Sequence, residues 1–186
     1  MVPDTASSAN FTTSKADDLS VAVQIEAPQI LKWHIQIYDR LKSELEAYVV
    51  LLEVPRGGTE AKHSLVLQHF VPSLAPHRSA AGHGSVPAPQ QPASVIIHLD
   101  TQPPAPSDLD VLVPLFDGKR GAEAILAALL DGRSPFIEIQ RHSSGKILAQ
   151  GTAGLDAASS LAEAFDAVTA RTVSLLALAI REPPEG

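Results

Sequence analysis

The chain has no cysteine. Disulfide frameworks, thiolate nucleophiles and cysteine-ligated zinc or iron–sulfur centres are therefore excluded. Aromatic residues are scarce, with five Phe, two Tyr and one Trp in 186 residues, so the core must be built from aliphatic side chains. Charge is thin as well. Asp, Glu, Lys and Arg make up 19%, the net charge is −7, and no Lys/Arg cluster occurs, which speaks against a nucleic-acid partner. No apolar run approaches the ~20 residues that span a bilayer. The Ser-, Thr- and Ala-rich start lacks a basic segment followed by an apolar one. No membrane contact is expected, and a cytoplasmic location is. Glycine-rich phosphate motifs are missing too. Gly57-Gly58 stands alone as a turn, and there is no Gly-x-Ser-x-Gly elbow.

Proline, in contrast, is plentiful. Eight of the 15 prolines lie between residues 72 and 106. Residues 1–18 read as a disordered tail, and 19–182 as one domain with a Pro-rich loop insertion at 72–93. The insertion interrupts a sheet rather than separating two domains, because Ser94–Asp100 is again a strand of the buried type.

Ser20–Glu26 and Ala47–Val54 are apolar at successive positions, as in strands buried on both faces. Between them, Pro28 opens a helix whose buried stripe is Ile30, His34, Ile37, Leu41 and Leu45. Strand, helix and strand make a βαβ unit. Leu65–Val71 is a short strand or a helical turn. Val111–Phe116 is a further apolar segment, and Gly121–Asp131 is a helix stopped by Gly132. Phe136–Gln140 and Ile147–Gln150 alternate around a hairpin loop at His142–Lys146. Ser160-Leu161-Ala162-Glu163 is a capping box, and the long final helix runs to Ile180 before Pro183-Pro184. The fold class this spells out is α/β, a Rossmann-like three-layer sandwich with a mostly parallel sheet.

Chemistry is sparse. His63, His69, His77 and His83 are spaced by six, eight and six residues, not by helical metal-pair spacing, so no metal site is expected. Trp33 and His34 sit at the first helix start, on the ligand side of an α/β sheet. Trp33, off the Ile37/Leu41 stripe, is open either to ligand stacking or to packing, and His34 reads as a core-edge histidine held by the backbone. His98 and Asp100 end the third strand, as an acid/base pair or as a salt-bridged rim. Asp117, Lys119 and Arg120 precede the Gly121 helix, as an anion site or as a solvated turn. No catalytic residue can be named.

From residue 109 onward the chain resembles the second half of a formyltransferase-fold catalytic domain, as in methionyl-tRNA formyltransferases. The resemblance rests on Leu112-Val113-Pro114, Arg120-Gly121, Ala127–Gly132, strand Phe136–Gln140, hairpin strand Gly145–Gln150 and the helix from Ser159. The helix Leu31–Leu41 is similar to that of formyltransferase-like domains preceding glycan-processing enzymes. The family's catalytic Asn and His would fall in Ser107-Asp108-Leu109-Asp110-Val111, and its hairpin Asp near Ser143-Ser144, yet none of the three is present. The resemblance therefore implies a degenerate, non-catalytic domain that binds a small molecule or a partner protein, perhaps alongside a carbohydrate-active enzyme. No cofactor is then expected. An active formyl- or glycosyl-transferase with a relocated site would instead use His98, Asp100 or Asp117 around a bound anion or sugar, and only then would a tetrahydrofolate derivative be expected. A third reading is an assembly subunit docking through its final helix, whose end, Ala177–Ile180, is apolar all round.

Overall fold

The computed structural model describes residues 19–25, 30–45, 47–53, 65–77 and 93–182. Expectations for the 1–18 tail, Pro28, Gly57-Gly58, His63, His83 and the loop 78–92 lie outside these residues. The element order is β1 (Ser20–Ile25), α1 (Lys32–Glu44), β2 (Tyr48–Glu53), α2 (Leu65–Phe70), a 3-10 turn (Pro72–Leu74), β3 (Val95–His98) and β4 (Asp110–Phe116). Then follow α3 (Ala122–Leu130), β5 (Phe136–Arg141), β6 (Ile147–Thr152) and α4 (Leu161–Ile180). The six strands form one sheet in the order β2-β1-β3-β4-β5-β6. The first four run parallel, and β5 and β6 are antiparallel additions. This is an α/β, Rossmann-like architecture with a hairpin and a long final helix.

Strand composition follows burial. In β1 and β4 the side chains of Val21, Val23, Leu112 and Phe116 join the helices in the main core, while Ala22, Val111, Val113 and Leu115 form a second cluster with Val50 and Ile96. Both sets are buried, which is why these strands are apolar without alternation. β5 alternates because Ile137, Ile139 and Arg141 are buried, while Glu138 and Gln140 between them are half-exposed. The start of the sheet is pinned by a hydroxyl. Ser94 Oγ donates to the Ser20 carbonyl at 2.9 Å and accepts from the Ser20 N–H at 3.2 Å.

Two sequence expectations change here. Helix α1 starts at Lys32 with Leu31 as its cap. Its buried stripe includes Trp33, four residues before Ile37 and so directly under it on the same face, and Trp33 is 1% exposed. Of the two readings of Trp33, packing is the one observed, and the placement off the Ile37/Leu41 stripe is corrected. The Pro-rich stretch also begins as core rather than loop. Val71 and Leu74 are fully buried. The Lys32 N–H donates to the Ala75 carbonyl, and the His77 N–H donates to that of Ile30.

Helix α4 is capped as its sequence demands, with a shift of one residue. Ser160 Oγ accepts the Glu163 N–H, while the Glu163 carboxylate reaches back to the N–H and hydroxyl of Ser159 rather than to Ser160. Its apolar side buries Phe165, Val168, Val173, Leu175, Leu176, Ala179 and Ile180. Thr169 and Thr172 enter the core by donating their hydroxyls to the carbonyls of Phe165 and Val168. Leu178 alone among its large apolar residues is exposed. Arg40 of α1 grips the Asp166 carboxylate with Nη2 at 2.9 Å from both oxygens, tying the first helix to the last. Among the described residues no helix is long and apolar enough to cross a membrane.

This orientation of α4 predicts unequal costs for two apolar truncations. Phe165→Ala should lose about 3–5 kcal/mol in urea unfolding, whereas Leu178→Ala should lose about 0.5 kcal/mol or less.

Candidate functional site

In the strand order β2-β1-β3-β4 the chain moves first to one side of β1 and then to the other. The switch point lies between β1 and β3, where α/β sheets bind ligands beyond the carboxyl ends of their strands. Gln24 of β1 and His98 of β3 are neighbours there. The segments ending at this edge are Leu31–His34 of α1, His98–Thr101 after β3 and Phe116–Gly121 after β4. All seven residues that the sequence singles out fall on these segments.

Trp33 and His34 pack together, ring centroids 4.9 Å apart, and Trp33 meets Phe116 edge-on at 6.4 Å. His34 takes the N3 position of α1, and its Nδ1 accepts the Leu31 N–H at 3.1 Å. Leu has no polar side chain with which to cap, so the histidine reaches back to satisfy the helix end. Burial pushes the His34 imidazole down to about 3. It is therefore a neutral structural acceptor at ordinary pH.

His98 is fully buried, with Nε2 2.9 Å from the Gln102 carbonyl. Asp100 is 8% exposed. Its Oδ1 accepts the Thr101 N–H and hydroxyl at 2.5 and 3.1 Å, and its Oδ2 is buried with no hydrogen-bond partner among the described residues.

Asp117 and Gly118 are the centre of a tight turn, both at positive φ (52° and 73°), closed by bonds between Phe116 and Lys119. Asp-Gly favours this turn because both central residues must be left-handed. The Asp117 carboxylate is fully used. Oδ1 accepts the Phe136 N–H at 2.9 Å, and Oδ2 pairs with Arg133 at 2.6 Å. Burial alone would raise its pKa, but the Phe136 bond and the Arg133 and Lys119 charges outweigh that and hold it low. Asp117 thus serves the turn, and Lys119 is exposed in it. Arg120 is half-buried, and its Nε is enclosed without a partner.

Gly121 caps α3 at φ 84°, and a Cβ there would lie 2.6 Å from Thr101 Cγ2. This close approach binds the β3 and β4 loops together. The edge therefore holds two kinds of polar residue. His34 and Asp117 are engaged in structural bonds. Trp33 Nε1, Asp100 Oδ2 and Arg120 Nε are enclosed and bond to no other protein group among the described residues. Motif reading picked these residues out by position, but their satisfied or unsatisfied state is not written in sequence. It also passed over Arg141, a buried arginine at the opposite edge, whose only sequence signal is its place on the inward phase of an alternating strand.

Among the described residues no group of three or more acidic or histidine side chains could hold a metal ion. Comparison of the chain with family models, with curated proteins and with solved structures returns no match.

Two predictions follow from this geometry. His34 in the folded chain stays neutral down to about 3, against 6.5 for a free imidazole. Between these values the unfolded chain holds the extra proton, so stability is complete above pH 6.5 and falls as pH drops toward 3. His34→Gln, which keeps an acceptor for Leu31, should reduce that slope by up to about 1.4 kcal/mol per pH unit in urea titrations. Gly121→Ala should cost about 1–3 kcal/mol from the positive φ, with the Thr101 clash in addition. Gly118→Ala has open space around it and should cost less in thermal melts.

Proposed function

We propose that this chain is a degenerate formyltransferase-like domain that binds a small polar molecule at the carboxyl edge of its sheet and does not catalyse its conversion. The observation that carries the reading is the set of enclosed, unpartnered polar atoms on Trp33, Asp100 and Arg120. Leaving such a group unsatisfied costs about 1–3 kcal/mol each. A fold keeps them where something else completes the bonding. The complementary ligand accepts hydrogen bonds from the indole and guanidinium nitrogens and donates one to the carboxylate. Hydroxyl-rich or amide-bearing molecules have both capacities.

Against catalysis stands the state of the titratable groups. A general base needs a pKa near the working pH and freedom to exchange a proton. The His34 nitrogen is occupied and depressed, and both Asp117 oxygens are bonded. The formyltransferase resemblance supports the same view, since the Ser107–Val111 run and the Ser143-Ser144 turn lack the family's catalytic side chains. No cofactor or metal is required. The similarity of α1 to domains ahead of glycan-processing enzymes makes sugars and nucleotide sugars the first ligands to test, with a protein partner as the alternative.

Thermal shift against simple sugars, nucleotide sugars and formyl-tetrahydrofolate tests the proposal. A true ligand at about 100 times its Kd should stabilise the fold by about 2.7 kcal/mol. Trp33→Phe and Asp100→Asn should each weaken that response. No response to any class would sink the small-molecule reading in favour of a protein partner. Consumption of formyl-tetrahydrofolate that disappears in His98→Ala would establish an enzyme instead.

A further inference from the structure

Arg141 ends β5 at the amino edge of the sheet, opposite the switch point. It is 6% exposed, which is unusual for an arginine. Its Nε lies 3.0 and 3.1 Å from the two oxygens of Asp110, the first residue of β4. A guanidinium carries five N–H donors, and this pair uses one of them. The two terminal nitrogens make no hydrogen bond among the described residues.

These nitrogens belong to a side chain lining an open cavity of about 450 Å³, together with Ser107, Asp108, Asp110, Ser143 and Ser144. The cavity walls are fixed. The Arg141 N–H donates to the Lys146 carbonyl, and the Arg141 carbonyl accepts the Gly145 N–H. Ser107 Oγ already accepts the Leu109 N–H, and Ser144 Oγ accepts that of Lys146. Each of these hydroxyls therefore still has its O–H to donate. Ser143 adds a third hydroxyl on the exposed turn.

A buried ion pair needs no cavity, and a structural arginine would spend its terminal donors on backbone carbonyls. Here Asp110 fixes the guanidinium plane and leaves its outer fork without an acceptor among the described residues. We infer that this cavity is a binding site for a small-molecule carboxylate, seated on the terminal nitrogens of Arg141 and flanked by the serine hydroxyls. The fork geometry matches two carboxylate oxygens. Asp108 lines the same cavity without pairing to Arg141, and its charge disfavours a phosphate dianion. The cavity shares no residue with the carboxyl edge and rests on Arg141 alone, although its Ser107–Asp110 and Ser143-Ser144 walls are the runs in which the formyltransferase resemblance would place catalytic side chains.

The test is a nuclear magnetic resonance titration of the full chain, ¹⁵N-labelled, with acetate and, separately, with inorganic phosphate. Acetate should give saturable shifts at the Arg141 side-chain Nε–H and at the amides of Ser143 and Ser144, with phosphate weaker. Arg141→Lys keeps a cation for Asp110 but loses the fork, and should weaken acetate by about tenfold. Ser143→Glu leaves the buried pair untouched and adds a repelling charge on the exposed turn, so it should weaken acetate similarly at unchanged melting temperature. Absence of saturable acetate shifts, preference for phosphate, or acetate binding unchanged in Ser143→Glu would overturn the inference.

Discussion

The two-sided burial of β4 is the constraint on which the rest of the molecule depends. Val111 through Phe116 are all buried, with alternate side chains entering opposite clusters. The strand is also where the sheet changes direction, parallel to β3 and antiparallel to β5. Its two ends carry the two polar features of the protein. At the amino end Asp110 holds Arg141, and at the carboxyl end Phe116 supports Trp33 and leads into the Asp117-Gly118 turn. Even Pro114 fits here, since it pairs with Ile139 in an antiparallel register whose remaining bonds do not need its missing N–H. A shift of β4 by one residue would exchange its two apolar sets and unseat both edges together.

Much of this was legible before any coordinates. The unbroken apolar run of β1 announces a strand buried on both faces, and the alternating pair Phe136–Gln140 and Ile147–Gln150 announces the hairpin; the equally apolar β2 instead forms the sheet edge, with Tyr48 exposed and Leu51 and Leu52 half-buried. Those signals survive because they are local. The differences between pattern and structure arise from geometry over a few residues. Trp33 shares a buried stripe with Ile37 at a spacing of four, one helical turn that the Ile37/Leu41 pattern alone does not reveal. The Ser160 box turned out to place the Glu163 carboxylate on Ser159. Pro72 announces a loop by composition, yet Val71 and Leu74 on either side are drawn into the core by α1 and α4. The candidate site was legible only as a position. Whether a polar atom is satisfied depends on partners distant in sequence, as with Asp110 and Arg141, 31 residues apart.

The two edges of the sheet treat charge differently. At the carboxyl edge two titratable groups, His34 and Asp117, are spent on architecture: an imidazole replaces the cap that Leu31 lacks, and a carboxylate staples the β4–β5 connection through Phe136 and Arg133. At the amino edge one arginine is sunk almost completely, and its cost in desolvation is offset by the half-buried Asp110 carboxylate that reaches the guanidinium from one side. The difference follows from the strands. Parallel strands all end at the carboxyl edge and open into long connections, whereas the antiparallel hairpin returns Arg141 to the amino edge beside the start of β4.

The clasp between Arg40 and Asp166 joins residues 126 positions apart, and α4 supplies a large part of the side chains that fill the space over the sheet. During synthesis on the ribosome, β1, α1 and β2 emerge long before the helix that covers them. Their apolar faces must then wait, exposed or held by a chaperone, until residue 180 has left the exit tunnel. A polypeptide released before α4 has been made would keep that apolar face uncovered.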